Sequence, residues 1–311
     1  MNQSINTTHT PSNTAQSCCA MTIDVEEYFQ IEAAHRIVKI EDWDRHESRV
    51  EQQMDLLLGL FAEHNIQATL FTLGWIAKKH PLMVRRFTEL GHEVACHGNM
   101  HQRIHRLSKQ TFALDLQTSK SRLEDVTGQP ILGYRAPTWS LTQQTAWAAD
   151  VIANAGFVYD ASIFPTKHPQ YGIPHAPTTP YTLNTPANKQ LTEIPPLVWR
   201  ITNNRNLPVA GGGYFRQFPL AMMKMGMRQA IKSRRPAVLY FHPWEFDKQQ
   251  PKLPLGKLGK IRTYRGIRSA YNKLDRICRF GNHISHWQLM RDIAAATTTT
   301  TTPHFNFEST T

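Results

Sequence analysis

The chain has 311 residues, 41% of them hydrophobic, with 35 Lys and Arg against 24 Asp and Glu, a formal net charge of +11. That composition excludes a disordered chain and suits a core-forming protein, either one α/β unit of roughly 250 residues or two smaller ones. No run of about 18 apolar residues is present, so no membrane-spanning helix is expected.

The first seventeen residues are polar and rich in Ser, Thr, Asn and Gln, and Thr297 to Thr302 are six consecutive threonines. By composition, residues 1–17 and 296–311 are expected to be disordered tails around a single domain at 18–295. The first strand is predicted at Ala20–Glu26. A helix follows, with Ser48 and Glu51 in a capping-box pattern and Val50, Met54, Leu57, Leu58 and Phe61 on one face. A strand is predicted at Ala68–Leu73, then a helix opened by Pro81 and ended by Gly91. The strand Glu93–Cys96 leads into His97. Ser108 starts a helix with Phe112, Leu116 and Leu123 inward, closed near Gly128. Further strands are predicted at Ile131–Tyr134 and Phe157–Tyr159, separated by a helix over Thr142–Ala155. The segment 164–217 is rich in Pro and Gly, and short strands such as Leu197–Ile201 are expected there. A helix over Pro219–Lys232, the strand Ala237–Phe241 and a last helix near Arg268–Arg279 complete the series. Strands alternating with helices imply a mostly parallel sheet or barrel.

The cysteines, Cys18, Cys19, Cys96 and Cys278, have neither metal-finger spacing nor the number for a disulfide scaffold, so a reducing compartment fits. With no apolar signal segment at the start, a cytoplasmic location is expected. The basic residues are dispersed except around Lys257, Lys260, Arg262, Arg265 and Arg268. No nucleic-acid-binding signature accompanies them, and no nucleic-acid partner is expected. Contact with an anionic membrane surface is left open by this cluster.

Four short stretches carry chemistry. In Thr22-Ile23-Asp24-Val25-Glu26, strand alternation puts Asp24 and Glu26 on one face. Two adjacent buried acids need something positive, and a metal would serve, although a strand running into an acidic loop is the plain alternative. In His97-Gly98-Asn99-Met100-His101, a spacing of four lets two imidazoles meet one ion. His105 continues the spacing but is expected to face solvent. Arg135-Ala136-Pro137-Thr138-Trp139 offers an Arg that can orient a carboxylate, or one that simply lies at a barrel rim. Tyr240-Phe241-His242-Pro243-Trp244 offers a general acid, or a satisfied core histidine. Asp24, Glu26, His97, Arg135 and His242 all fall at C-terminal ends of predicted strands, the face where parallel α/β folds build active sites. The Gly211-Gly212-Gly213 run lacks the Lys and spacing of a phosphate loop and reads as a tight turn or a loop near the substrate, the turn being favoured.

The order acidic pair, His-x-x-x-His, Arg-x-Pro and late His resembles the polysaccharide deacetylase (NodB-homology) family over most of residues 20–245. The Asp-Val-Glu-Glu-Tyr-Phe stretch is similar to the exosortase- and exopolysaccharide-associated branch. The resemblance implies a single distorted (β/α) barrel of about seven strands. It implies Asp24 as general base, Glu26, His97 and His101 as metal ligands, Arg135 as the residue orienting the base, and His242 as general acid. It also implies a backbone oxyanion donor at Thr138 and Asp160 as the residue tuning the late His. Trp139, Tyr214 and Trp244 are candidates to line the sugar. The implied activity is de-N-acetylation of N-acetylhexosamine units with a divalent metal, zinc first and Co, Mn or Ni after it. The substrate partner is a carbohydrate, either a polysaccharide or its oligosaccharide precursor. Hydrolysis of a small cyclic amide, as in allantoinase-like relatives, and a non-catalytic sugar-binding module are the alternatives. The departures from the family pattern are Asp-Val-Glu in place of Asp-Asp, Gly98 in place of a hydroxyl residue, and Thr138 in place of an aromatic one.

Overall fold

The computed structural model describes residues 18–202, 205–296 and 302–307. All seven residues of β1 (Cys19–Val25) are buried, as expected of a strand covered on both faces of a parallel sheet. From β1 the sheet runs in parallel through β2 (Thr69–Thr72), β3 (Glu93–Cys96), β4 (Gly133–Tyr134) and β5 (Tyr159–Asp160). The chain then forms β6 (Tyr181–Asn184) and β7 (Gln190–Glu193). β7 lies parallel beside β5, and β6 runs back antiparallel to β7. β8 (Val198–Thr202) and β9 (Arg205–Pro208) make a separate hairpin, and β10 (Ala237–Phe241) pairs with the free side of β1.

Just past β7 the Ile194 N–H still bonds the Asp160 carbonyl, and three residues later the Leu197 N–H bonds the Val238 carbonyl of β10. That step joins the two ends of the parallel series β10-β1-β2-β3-β4-β5-β7 and closes the barrel. The fold is the expected α/β barrel of seven parallel strands, with β6 as an antiparallel flank.

The helices α1 (Val50–Glu63), α2 (Gly74–Lys79), α3 (Pro81–Glu89), α4 (Lys109–Thr127) and α5 (Trp147–Asn154) follow the first strands in turn. Ser108 accepts the Thr111 N–H at the start of α4, and Gly128 ends it at φ +67°. The capping box expected for α1 does not form. Buried Glu27 accepts the N–H groups of Arg49 and Val50 and the Ser48 hydroxyl, so a residue from the first strand's loop caps the helix.

After the hairpin come α6 (Gly212–Gln217), α7 (Leu220–Lys232), α8 (Lys257–Tyr264) and α9 (Ile267–Cys278). α9 is not the last helix. β11 (His283–Ile284) pairs with β1, and α10 (His286–Ala296) packs buried Leu289 against Cys18, Ala20 and Val238 at the start of the strands. The C-terminal expectation is corrected as well. β12 (His304–Asn306) pairs with β6, and Phe307 beside it is buried. The threonine run hides this short strand from a compositional reading. Residues 1–17, 297–301 and 308–311 lie outside the described residues.

Candidate active site

The strand ladders bring the chemistry-bearing residues to one end of the barrel. The N–H of His97 bonds the Thr72 carbonyl and that of Arg135 bonds the Cys96 carbonyl, so both residues leave the sheet at the same level. Asp24 is the residue before the last of β1, and Glu26 directly follows the strand. Both are 3% exposed, so neither belongs to a solvated loop. His242 follows β10 directly. His105 is exposed and takes no part, as expected.

Glu26, His97 and His101 each offer a ligand atom, and these atoms lie within 4.8 Å of one another. Glu26 Oε2 is 2.7 Å from His101 Nε2, yet Glu26 Oε2 is buried without a hydrogen-bond partner. The two atoms approach without hydrogen-bond alignment, as lone pairs do when aimed at a common third centre. The remaining contacts fix the ligands. His97 Nδ1 lies 2.9 Å from the Arg135 carbonyl. A carbonyl only accepts, so Nδ1 carries the proton and Nε2 keeps its lone pair for the pocket. The Trp244 indole N–H donates to Glu26 Oε1 at 2.9 Å. Two imidazoles and one carboxylate are a donor set for a catalytic divalent cation such as zinc. Electrostatics divide the two rings: burial opposes a charged His101, but adjacent Glu26 outweighs it and pushes the ring upward. Burial drives His97 down to about 4, favouring the neutral ring. For Glu26, burial pushes upward but is overcome by His101, His242 and His97, which bring it to about 2.

Asp24 is held apart from this cluster. Arg135, wholly buried, donates from Nη1 to Asp24 Oδ1 at 2.6 Å and to Thr22 Oγ1 at 2.7 Å, and from Nε to the Ala161 carbonyl. Its guanidinium lies over Phe71 at 3.9 Å and Trp139 at 4.9 Å. Asp24 Oδ2 faces His242 Nε2 at 3.8 Å.

The partner expected for His242 was Asp160, and this is corrected. Asp160 bonds the N–H and hydroxyl of Ser162 and lies beside Glu193, its register partner on β7. The Ser162 oxygen in turn accepts the Ala136 N–H at 2.7 Å. Asp160 therefore braces the turn after β4 rather than the late histidine. His242 is held instead by Glu245, whose Oε2 lies 3.1 Å from Nδ1 and accepts the His242 N–H. Burial opposes a charged His242, but Glu245, with Glu26 and Asp24, outweighs it and pushes the ring up to about 9. Glu245 Oε1 is bound by Arg216 Nε at 2.6 Å, and Arg216 is fixed by the carbonyls of Arg262, Thr263 and Arg265.

In the turn after β4, Thr138 adopts φ +57° and Trp139 φ +55°. No acceptor among the described residues pairs with the Thr138 N–H. The pocket encloses about 180 Å³ and is lined by Asp24, Glu26, His97, His101, Thr138, Trp139 and His242, with Tyr171, Tyr240, Trp244 and Gly212–Gly213 also on its wall. Trp139 and Trp244 are thus in place. Tyr214 is not on this wall; its ring faces Phe218 and it bonds Tyr171. The glycine run serves close approach as well as the wall, since a Cβ at Gly211 would sit 1.6 Å from the Tyr240 carbonyl oxygen.

Residues 43–159 match the family model described as polysaccharide deacetylase. Over that segment, which is less than half of the chain, a polysaccharide deacetylase domain is found. Residues 161–295 match a domain of unknown function, DUF3473. The chain is 28% identical over 117 residues to the peptidoglycan deacetylase of Helicobacter pylori (strain ATCC 700392 / 26695), covering 38% of this chain and 39% of that protein. It is 29% identical over 103 residues to the chitooligosaccharide deacetylase of Rhizobium leguminosarum bv. trifolii, covering 32% and 45%. The matched segments thus span less than half of these relatives. Among solved structures, a protein of Mycobacterium smegmatis assigned as a polysaccharide deacetylase superposes with TM-score 0.62 at 19% identity over 94% of this chain and 97% of that one. Puue allantoinase gives 0.60 at 15% identity over 93% of each. At these identities the two structures share the fold, and the fold alone does not choose between a sugar amide and a cyclic one. The DUF3473 segment is no appendage to the deacetylase domain. It supplies β7 and β10 to the barrel and His242, Arg216 and Glu245 to the site.

Proposed function

We propose that this deacetylase domain hydrolyses the N-acetyl group of N-acetylhexosamine units in a polysaccharide or its oligosaccharide precursor, releasing acetate. The observation that carries the reading is the division of labour between the two acids at the C-terminal end of β1. Glu26 converges with His97 and His101, while Asp24, two residues earlier, is turned onto Arg135. A site with one acid for a cation and one kept for protons suits metal-assisted amide hydrolysis.

Glu26, His97 and His101 would hold the cation, and their donor set suits zinc. When bound, it supplies Lewis acidity to the acetyl carbonyl and lowers the pKa of the attacking water. Asp24, oriented by Arg135, takes a proton from that water through Oδ2. The unpaired Thr138 N–H donates to the oxygen on which negative charge develops. His242, across from Asp24, hands a proton to the departing amine nitrogen. Trp139, Tyr240 and Trp244 supply apolar walls. A pocket of about 180 Å³ is below the roughly 300–1,000 Å³ of sites that enclose drug-sized ligands, so it suits an acetamido group and one edge of a sugar. Buried thiols at Cys19, Cys96 and Cys278 support a reducing, cytoplasmic setting.

The test is acetate release from a panel of N-acetylhexosamine oligomers by metal-loaded protein, with Asp24→Asn as the blank. Release that falls by on the order of a hundredfold or more in the variant supports the reading. No release from any oligomer, together with turnover of a cyclic amide, would replace it with the allantoinase-like alternative.

A further inference from the structure

The sequence between Asp247 and Asp275 holds eight Lys and Arg and no acid, against a surplus of 11 for the whole chain. Lys273 is turned inward, donating to the carbonyls of Phe215, Arg216 and Phe218. The other seven make no ion pair among the described residues, whereas basic residues elsewhere pair freely with acids. Lys248, Lys252, Lys257, Arg262, Arg265 and Arg268 are exposed.

Two large apolar side chains stand among these cations. Leu258 is 71% exposed and Ile261 is 48% exposed. They are three residues apart on α8 and so share a face. A lone exposed Leu needs no explanation. A paired apolar ridge inside a field of unpartnered cations is the composition of a helix that lies in a bilayer interface. A soluble polyanion would satisfy the cations but gives no reason for the apolar ridge.

The face is also tied to the pocket. Arg216 holds the end of α8 through the carbonyls of Arg262 and Thr263, and α6, which carries Arg216, contributes Gly212 and Gly213 to the pocket wall. We propose that α8 and its flanking cations dock on an anionic lipid surface, setting the pocket mouth beside that surface and favouring sugars anchored in it. Attraction is shared among many cations, so binding falls with salt, and each lysine neutralised weakens it by about fivefold.

The experiment is co-sedimentation of the full chain with vesicles of phosphatidylcholine alone or mixed with phosphatidylglycerol, beside retention on immobilised heparin as a soluble-polyanion control. Three proteins are compared: wild type, Leu258→Ser with Ile261→Ser, and Lys252→Gln with Lys257→Gln. All substituted positions are exposed and outside the site, so circular dichroism and thermal melting should be unchanged. The expected result is binding to the mixed vesicles only, weakened in both variants, with heparin retention weakened only in the lysine variant. Absence of binding to mixed vesicles would overturn the proposal. So would vesicle binding indifferent to the loss of Leu258 and Ile261, which would make the face a general polyanion site. None of these readouts depends on turnover, so the deacetylase reading stands or falls separately.

Discussion

Replacing Trp244 by Phe should weaken divalent-metal binding by about 10- to 100-fold while leaving the fold intact. The indole N–H donates to Glu26 Oε1 at 2.9 Å, and both side chains are buried. The phenyl ring of the variant keeps the apolar face that stacks on His242, with centroids 5.3 Å apart, and the surface over which Arg216 lies at 5.0 Å. What is lost is one hydrogen bond to a charged acceptor, worth about 1.5–3 kcal/mol, or about 10- to 150-fold in affinity if all of it is felt by the ion. Zinc affinity would be read by competition with a fluorescent chelator, with thermal melting of the metal-free proteins as the control for folding. Glu26→Gln sets the floor, because it removes the ligand itself. An unchanged affinity in Trp244→Phe, with normal melting, would refute the idea that Trp244 orients Glu26 for an ion.

Arg216→Met should cost about 3–5 kcal/mol of stability in denaturant unfolding, because it removes the guanidinium partner of wholly buried Glu245 and leaves Oε1 unpaired. Combining it with Glu245→Gln should recover much of that loss; strict additivity of the two would show that the pair is not coupled. Glu193→Gln should flatten the dependence of stability on pH. Burial, aided by Asp160, holds the Glu193 carboxyl well above its usual range, whereas an unfolded chain releases that proton above about pH 4.3. The stability contributed by the protonated form is full in acid and falls as pH rises toward the folded value. The amide keeps the Ile163 N–H bond and can still donate to Asp160. Melting temperatures of the two proteins should therefore diverge in favour of the variant between weakly acidic and alkaline pH. Parallel curves would mean that Glu193 is ionised in the fold.

Strand alternation in Thr22–Glu26, a four-residue His spacing and an Arg after a short strand are local facts, legible because side-chain direction along a strand follows from chirality and the pleat. With the alternation of strands and helices, they made the barrel class, the acid pair and the grouping of Glu26, His97 and His101 readable from the sequence. The N-cap at Ser108 and the stop at Gly128 were legible for the same reason, since capping is a property of a few consecutive residues. What only the tertiary structure decided is which of several candidate groups meet. The tuning partner of His242 is Glu245, three residues on, and Asp160 braces Ser162 and the turn at Ala136. Glu27 rather than Ser48 caps α1, because a buried carboxylate from another element reached the helix end. Tyr214 falls off the pocket while Gly212 and Gly213 line it, because close approach of the glycine backbone to Tyr240 sets the direction of α6. Pairing across the barrel, as of Arg135 with Asp24 and of Trp244 with Glu26, depends on packing between segments more than a hundred residues apart, which no local pattern encodes.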